Sequence, residues 1–418
     1  MGHLFRELPD YTDLHATTIP WIGHKPFIYY YKKYPLRGNK ITETMAGEVR
    51  NISEARRIVI KVGTSNLTDS NYRLEPRKVE KLTLEIVELR KRDKEVIVVS
   101  SGAIGAGIGK LDLKQRPRDI KMLQATAAVG QNVLMSTYDR YFTSHEQIIA
   151  QVLLTQEDFF NRPRYLNLRN TLITLLKAGL IPIINENDTI AVDELKVGDN
   201  DNLSALVASN LEADLLILLT DIDGLYTQDP RRNKNAEFIS VVEEITPEME
   251  RTAESGGKTG VGGMKTKIQA AKITMNAGIP MVIANGGAEN ILVRIIEDVP
   301  VGTLFKPKKD KMNDKAHWIL FASAPKGRIK VDEGAKTALL KNGSSLLPSG
   351  IIDVENEFMC GDPVSIVDSE GIEFAKGITN YSAAEIEKIQ GVHSREIEQI
   401  LGRKGYTEVV YRGNLVLV

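Results

Sequence analysis

The chain has 418 residues, which at about 150 residues per domain points to two or three domains. With 42 % hydrophobic and 26 % charged residues, it has the make-up of a globular protein, not of a disordered chain, a collagen or a coiled-coil rod. Lys plus Arg number 54 against 55 Asp plus Glu, a net charge of −1 that gives no general attraction to nucleic acid or membranes.

No apolar run approaches the ~20 residues that cross a bilayer, and the polar start has no secretory signal. The single cysteine, Cys360, cannot form an internal disulfide and fits a cytoplasmic protein. Neither it nor the six histidines fall at metal-ligand spacing, so no metal is expected to be held directly by the chain. His145, His317 and His393 are scattered and read as surface or structural residues.

Residues 1–50 stand apart. They are rich in aromatics and prolines (Trp21, Phe27, Tyr29, Tyr34, Pro35) and lack a period. They read as an extension, a poorly ordered leader or a stretch upstream of a second start at Met45, in preference to an arm that packs on a partner subunit. From Arg56 the pattern becomes regular. An apolar run to Val62 predicts a strand, Pro76–Arg92 an amphipathic helix, and Glu95–Ser100 a second strand followed by a glycine-rich turn. Further on come a helix over 123–141, a strand over 148–154, a helix over 167–178 stopped by Gly179, and a strand over 181–184. Next are a helix over 203–211, a strand over 214–219, a helix over 265–277 and a strand over 280–284.

Strands apolar on both faces, alternating with helices, predict an α/β fold: a mostly parallel sheet sandwiched between helices. Near Phe305 the character changes. Past a basic segment, short strands are expected at 317–323, 327–331, 363–367 and 373–379, with helical stretches at 335–341 and 382–389. The expected organisation is an extension (1–50), a catalytic domain (51–310), a small β-rich domain (325–403) and a C-terminal tail (404–418).

Ligands of such sheets bind beyond the carboxyl ends of the strands, and that is where the unusual residues fall. Lys61-Val-Gly-Thr-Ser65 follows the first strand and Ser100-Ser-Gly-Ala-Ile-Gly-Ala-Gly-Ile-Gly109 the second. Asn185-Glu-Asn-Asp188, Gly198-Asp-Asn-Asp-Asn202 and Thr220-Asp-Ile-Asp-Gly224 come later, and a glycine loop runs from Ser255 to Lys267. Each alone is explained by turn chemistry. Together they describe a site in which glycine turns let an anion approach backbone amides and Lys61 and Lys267 supply fixed charge, as phosphoryl transfer requires. The polar cluster Asn185, Asp188, Asp199, Asn200 and Asp201 suits a substrate ammonium, the orientation of lysines, or Mg2+ carried by a nucleotide. Lys267 is expected to be exposed in its glycine loop.

Two look-alikes fail. Gly257-Lys258-Thr259 resembles the end of a P-loop, but Thr252 stands where a glycine is needed and helix precedes it. Gly105-Ala-Gly107 hints at a dinucleotide fingerprint, but Lys110 stands where the third glycine belongs.

In their order, these motifs resemble the glutamate 5-kinases of the amino-acid kinase family, from about Arg56 to the C-terminus. Gly327–Ala335, Gly343–Pro348 and Gly361–Val364 resemble a PUA domain. The resemblance implies ATP-dependent phosphorylation of the γ-carboxylate of L-glutamate to γ-glutamyl phosphate, the first step of proline biosynthesis. By position, Lys61, Lys267 and Asp201 would be catalytic, and Ser101, Gly102, Asn185, Asp188, Asp199 and Asn200 would bind substrate. Lys61, Thr220, Asp221, Val261, Gly262, Gly263, Met264, Lys265, Thr266 and Lys267 would bind ATP, with Mg2+ entering through the nucleotide. The family further implies feedback inhibition by proline, a homo-oligomer (dimer or tetramer) and the next-step reductase as a partner. A related carboxylate or phosphate acceptor is the alternative. An RNA-binding role through the PUA-like domain lacks the basic patch and aromatic platform it would need, so nucleic acid is not expected as a partner.

Overall fold

The computed structural model describes residues 52–155, 157–190, 200–228, 230, 233, 235–255, 263–308, 316, 318–403 and 405–418. The extension expected over 1–50 lies outside the described residues, as do Asp199, Val261 and Gly262.

The first domain alternates strands and helices as its sequence periods dictate. In chain order come β1 (Arg57–Val62), α1 (Pro76–Lys91), β2 (Glu95–Ser100), α2 (Ala103–Lys110), α3 (Ile120–Thr143), β3 (Ile149–Leu154), α4 (Glu157–Phe160), α5 (Arg162–Lys177), β4 (Ile181–Glu186), α6 (Asn200–Asn210) and β5 (Leu215–Thr220). The short β6 (Leu225–Tyr226), β7 (Phe238–Ile239) and β8 (Val241–Val242) follow, then α7 (Pro247–Ser255), α8 (Met264–Asn276), β9 (Met281–Asn285), α9 (Ile291–Ile296) and β10 (Thr303–Phe305).

Eight strands form one sheet in the order β3-β4-β2-β1-β5-β9-β10-β8. Pairing is parallel from β3 through to β9, and only β9–β10 is antiparallel. On β1, Val59 packs into the cluster built from α5, α6 and α8, while Ile58, Ile60 and Val62 pack on the opposite face with α1, α3 and α9. Both faces of the central strands are thus dry, which explains their unbroken apolar runs. The chain leaves β1 toward β2 on one side and later returns on the other side as β5. The strand ends around β1 are therefore the topological switch point, where a crevice opens.

The glycine run 102–109 departs from the expected turn. Only Gly102 takes a left-handed conformation (φ +105°), and it caps α2, in which the other glycines are helical. They are there for close packing. A Cβ on Gly107 would come within 1.9 Å of the Thr126 carbonyl oxygen, and one on Gly130 within 1.8 Å of the Ala103 carbonyl oxygen, so α2 and α3 touch backbone to backbone.

The second domain is a five-stranded sheet in the order β12-β11-β13-β14-β15, built from β11 (Gly327–Val331), β12 (Ile351–Glu355), β13 (Pro363–Val367), β14 (Glu373–Thr379) and β15 (Val410–Leu417). Helices α10 (Glu333–Asn342), α11 (Ala383–Ile389) and α12 (Ile397–Leu401) accompany it. The segment 404–418, expected as a tail, contains β15, which pairs antiparallel with β14.

The strand expected at 317–323 is instead a π-helical turn, Trp318–Ala322. A short, continuous apolar run does not distinguish strand from buried helix, and here contacts decide. The Trp318 indole donates to the Phe159 carbonyl (2.8 Å), and Lys376 of β14 donates to the Leu320 carbonyl (3.2 Å). Among the described residues, no helix is long and apolar enough to cross a membrane.

Candidate active site

β1, β2 and β5 end level with one another, with Val62 paired to Ser100 and Leu219. This register places Lys61 on the last turn of pleat in β1, Ser101 just beyond β2 and Thr220 at the end of β5. From the other side, α6 and α8 bring Asp201 and Lys267 in their first turns.

Asp201 is the hub. The Lys61 ammonium lies 2.7 Å from Asp201 Oδ1 and the Lys267 ammonium 3.0 Å from Oδ2. All three are buried, at 7 %, 1 % and 5 % exposure for Lys61, Asp201 and Lys267. Lys267 is therefore not the exposed loop lysine expected from the sequence: α8 already begins at Met264, and its first turns turn the residue inward. The Thr266 hydroxyl sits 2.7 Å from Asp201 Oδ2 and 2.8 Å from the Gly263 carbonyl, so it orients the carboxylate or closes the helix turn. Burial alone drives the Asp201 carboxyl up. The Lys61 and Lys267 charges, with hydrogen bonds from Lys61 and Thr266, outweigh burial and hold it well below the usual carboxylate range. Two buried ammonium groups thus converge on one carboxylate in a dry pocket.

One residue away, Asn200 opens a different network. Its side-chain amide donates to Ser101 Oγ (2.9 Å) and Asn185 Oδ1 (3.1 Å). Asn185, at the end of β4, donates in turn to Gln131 Oε1 on α3 (2.9 Å). Beneath them the Tyr138 hydroxyl lies 2.9 Å from Ser100 Oγ. Asp188 follows β4 at 8 % exposure, and its Oδ1 has no hydrogen-bond partner among the described residues. Burial pushes this carboxyl up to about 6, with the Arg116 charge acting in the opposite direction. Asn200 and Asp201 are thus neighbours on one turn that face the two halves of the site.

Thr220 is buried at the end of β5, and its hydroxyl is 3.1 Å from Asp221, which is exposed. Gly263 caps α8, Met264 packs against the core and Lys265 is exposed. A cavity of about 300 Å³ shares Asp221 with this edge but contains neither Lys61 nor Lys267. Its own lysines are engaged by carbonyls: Lys81 donates to those of Gly287 and Ala288 and Lys78 to that of Thr68.

Sequence reasoning passed over Gln131 and Arg116. The signal for Gln131 was available: it lies four residues after Ala127 and three before Leu134, a polar interruption of the buried stripe on α3.

Two buried lysines sharing a carboxylate, one at the end of a parallel strand and one in the first turn of a helix, are an arrangement suited to a transferring phosphoryl group. The model of the amino acid kinase family matches residues 56–285, and the chain belongs to that family of kinases. The PUA domain model matches residues 327–401. A protein of Thermoanaerobacter sp. (strain X514) named glutamate 5-kinase is 52 % identical over 363 residues, covering 87 % of this chain and 98 % of that protein. One of the same name from Moorella thermoacetica is 47 % identical over 368 residues, covering 88 % of this chain and 97 % of that protein. A solved UMP kinase from Bacillus anthracis has a TM-score of 0.42 at 16 % identity and covers 60 % of this chain and 96 % of its own.

Proposed function

We propose that this chain transfers the γ-phosphoryl group of ATP to the γ-carboxylate of L-glutamate, releasing ADP and γ-glutamyl phosphate. The observation that carries the transfer is the buried meeting of Lys61 and Lys267 on Asp201. The two ammonium groups would hold the phosphoryl oxygens from either side while charge spreads over them, and Asp201 would fix both lysines before substrate arrives. The acceptor carboxylate is ionised at neutral pH, so its oxygen attacks phosphorus without a general base. That glutamate is the acceptor rests on the relatives' shared name and on Asp188 and the Asn200 side-chain oxygen, buried acceptors suited to an α-ammonium.

Thr220, Asp221 and the segment 261–267 would bind ATP. Mg2+ would enter as the ATP complex: both Asp201 oxygens face ammonium groups, and the described residues hold no cluster of three metal-ligating side chains. When bound, it would neutralise phosphate charge. The product, a mixed anhydride, calls for a reductase downstream. Proline as inhibitor and a dimeric or tetrameric assembly are further expectations of this reading.

The test is ADP release by the purified chain with glutamate, N-acetylglutamate, aspartate or UMP as acceptor. Release that depends on glutamate and exceeds the others is expected. Release driven best by another acceptor moves the chain to that substrate, and ATP binding without any acceptor dependence ends the reading.

A further inference from the structure

The acceptor half of the site leaves three buried polar atoms without partners among the described residues: the oxygens Asp188 Oδ1 and Asn200 Oδ1, and the amide nitrogen Gln131 Nε2. Their orientation follows from the backbone. The Glu186 N–H donates to Asn185 Oδ1 (2.9 Å), and a backbone N–H can only donate, so the other end of Asn185 must be its NH2. That NH2 meets Gln131, which must present its oxygen and is left with an amide donor facing no acceptor. An unmade buried donor costs about 1–3 kcal/mol, a cost that a ligand with a matching acceptor removes.

The leftover set is two acceptors and one donor. An α-amino acid has an ammonium that needs acceptors and a carboxylate that needs donors. Asp188 and Asn200 answer the first; Gln131 answers the second. Topology sets the direction. The Ser101 N–H bonds to the Val62 carbonyl at the end of β1, beside Lys61, whereas Gln131 touches β4, two strands farther out. With strands ~4.8 Å apart, that is about 10 Å from β1, on the side away from the phosphoryl group. Ser101, whose oxygen accepts from Asn200, keeps its own O–H for the reacting end.

We propose that Gln131 is a specificity-determining residue of the acceptor site, donating through Nε2 to the α-carboxylate of the amino acid whose side-chain carboxylate is phosphorylated. This rests on the kinase reading above and adds to it the group that tells a free amino acid from one altered at its α-carboxyl.

The test compares glutamate with its α-carboxamide analogue, which keeps the γ-carboxylate, as acceptors for wild type and Gln131→Glu. The substituted side chain retains an oxygen for Asn185 but replaces the donor with a negative oxygen that repels a carboxylate and welcomes a carboxamide NH2. The ratio of kcat/KM for glutamate over the analogue should fall by about 100-fold, the scale of a hydrogen bond to a charged group made repulsive. A ratio within threefold of wild type overturns the assignment. Should Gln131→Glu not fold, as judged by its thermal melt, Gln131→Met is read the same way. Glutamate kcat/KM should fall about 10-fold or more with the analogue less affected, whereas an equal fall for both would make Gln131 a prop for Asn185 alone. A wild-type chain that does not phosphorylate glutamate at all overturns the kinase reading itself and this assignment with it.

Discussion

The two halves of the site sit side by side and are built in opposite ways. Around Asp201 both carboxylate oxygens face an ammonium group, and the carboxyl is held low by these two neighbours. Around Asp188 three buried polar atoms lack partners among the described residues, and the carboxyl is pushed up to about 6. One half is finished before substrate arrives, as transition-state stabilisation requires. The other is completed by its ligand, so its cost to the free protein is a source of selectivity.

The sharpest way to break this contrast is Asp201→Asn. It leaves two buried ammonium groups without a counter-charge and should destabilise the fold by about 3–5 kcal/mol. Turnover should fall by at least about 1,000-fold. Urea unfolding and single-turnover assays measure the two, and a variant with normal stability would show that Asp201 is not the hub.

Lys267→Met is next. It leaves Lys61 paired with Asp201 and removes one of the two buried ammonium groups. We expect kcat to drop about 1,000-fold, while stability falls less than for Asp201→Asn, because Asp201 keeps Lys61 as its counter-charge and an apolar side chain replaces the buried ammonium. A melt that collapses together with activity would make the lysine structural.

Asp188→Asn should shift stability in the other direction, with a smaller kinetic effect. The Asp188 carboxyl is raised from its ordinary value of 3.8 to about 6 in the fold, so the folded chain holds the proton more tightly than the unfolded one. Its stability therefore declines as pH rises from about 4 to 6 and stays lower above that. At pH 7.5 the asparagine variant should be more stable than wild type by about 1–3 kcal/mol. Its KM for glutamate should rise about 30-fold with KM for ATP little changed. In wild type KM for glutamate should fall as pH rises through about 6, because only the ionised carboxylate pairs with an ammonium. A profile that keeps this inflection in the variant assigns it to another group.

Much of this was legible in the sequence because apolar runs end where chemistry begins. Lys61, Ser101, Asn185 and Thr220 all follow or close such runs, and the structure brings Lys61, Asp201 and Lys267 into contact as their motifs imply. What was not legible depends on partners far away in sequence. The glycines of 102–109 read as a flexible turn because nothing local announces that α3 will press against them. Trp318–Ala322 has the composition of a strand, and only the Phe159 carbonyl that takes up its indole settles it as a helical turn. Lys267 looked exposed because the sequence does not say which face of α8 turns inward onto Asp201. Gln131 belongs to no motif: the sequence shows only a polar break in the buried stripe of α3, and that its amide nitrogen is left over follows from the Glu186 N–H fixing the orientation of Asn185.

Asn200 and Asp201 are consecutive, and one reaches toward the acceptor network while the other anchors the lysines. A single peptide link therefore joins the two networks. Movement of α6 would carry both together, so the acceptor network and the lysine anchor share one rigid support. Lengthening that turn by one residue would leave both halves intact and put them out of step.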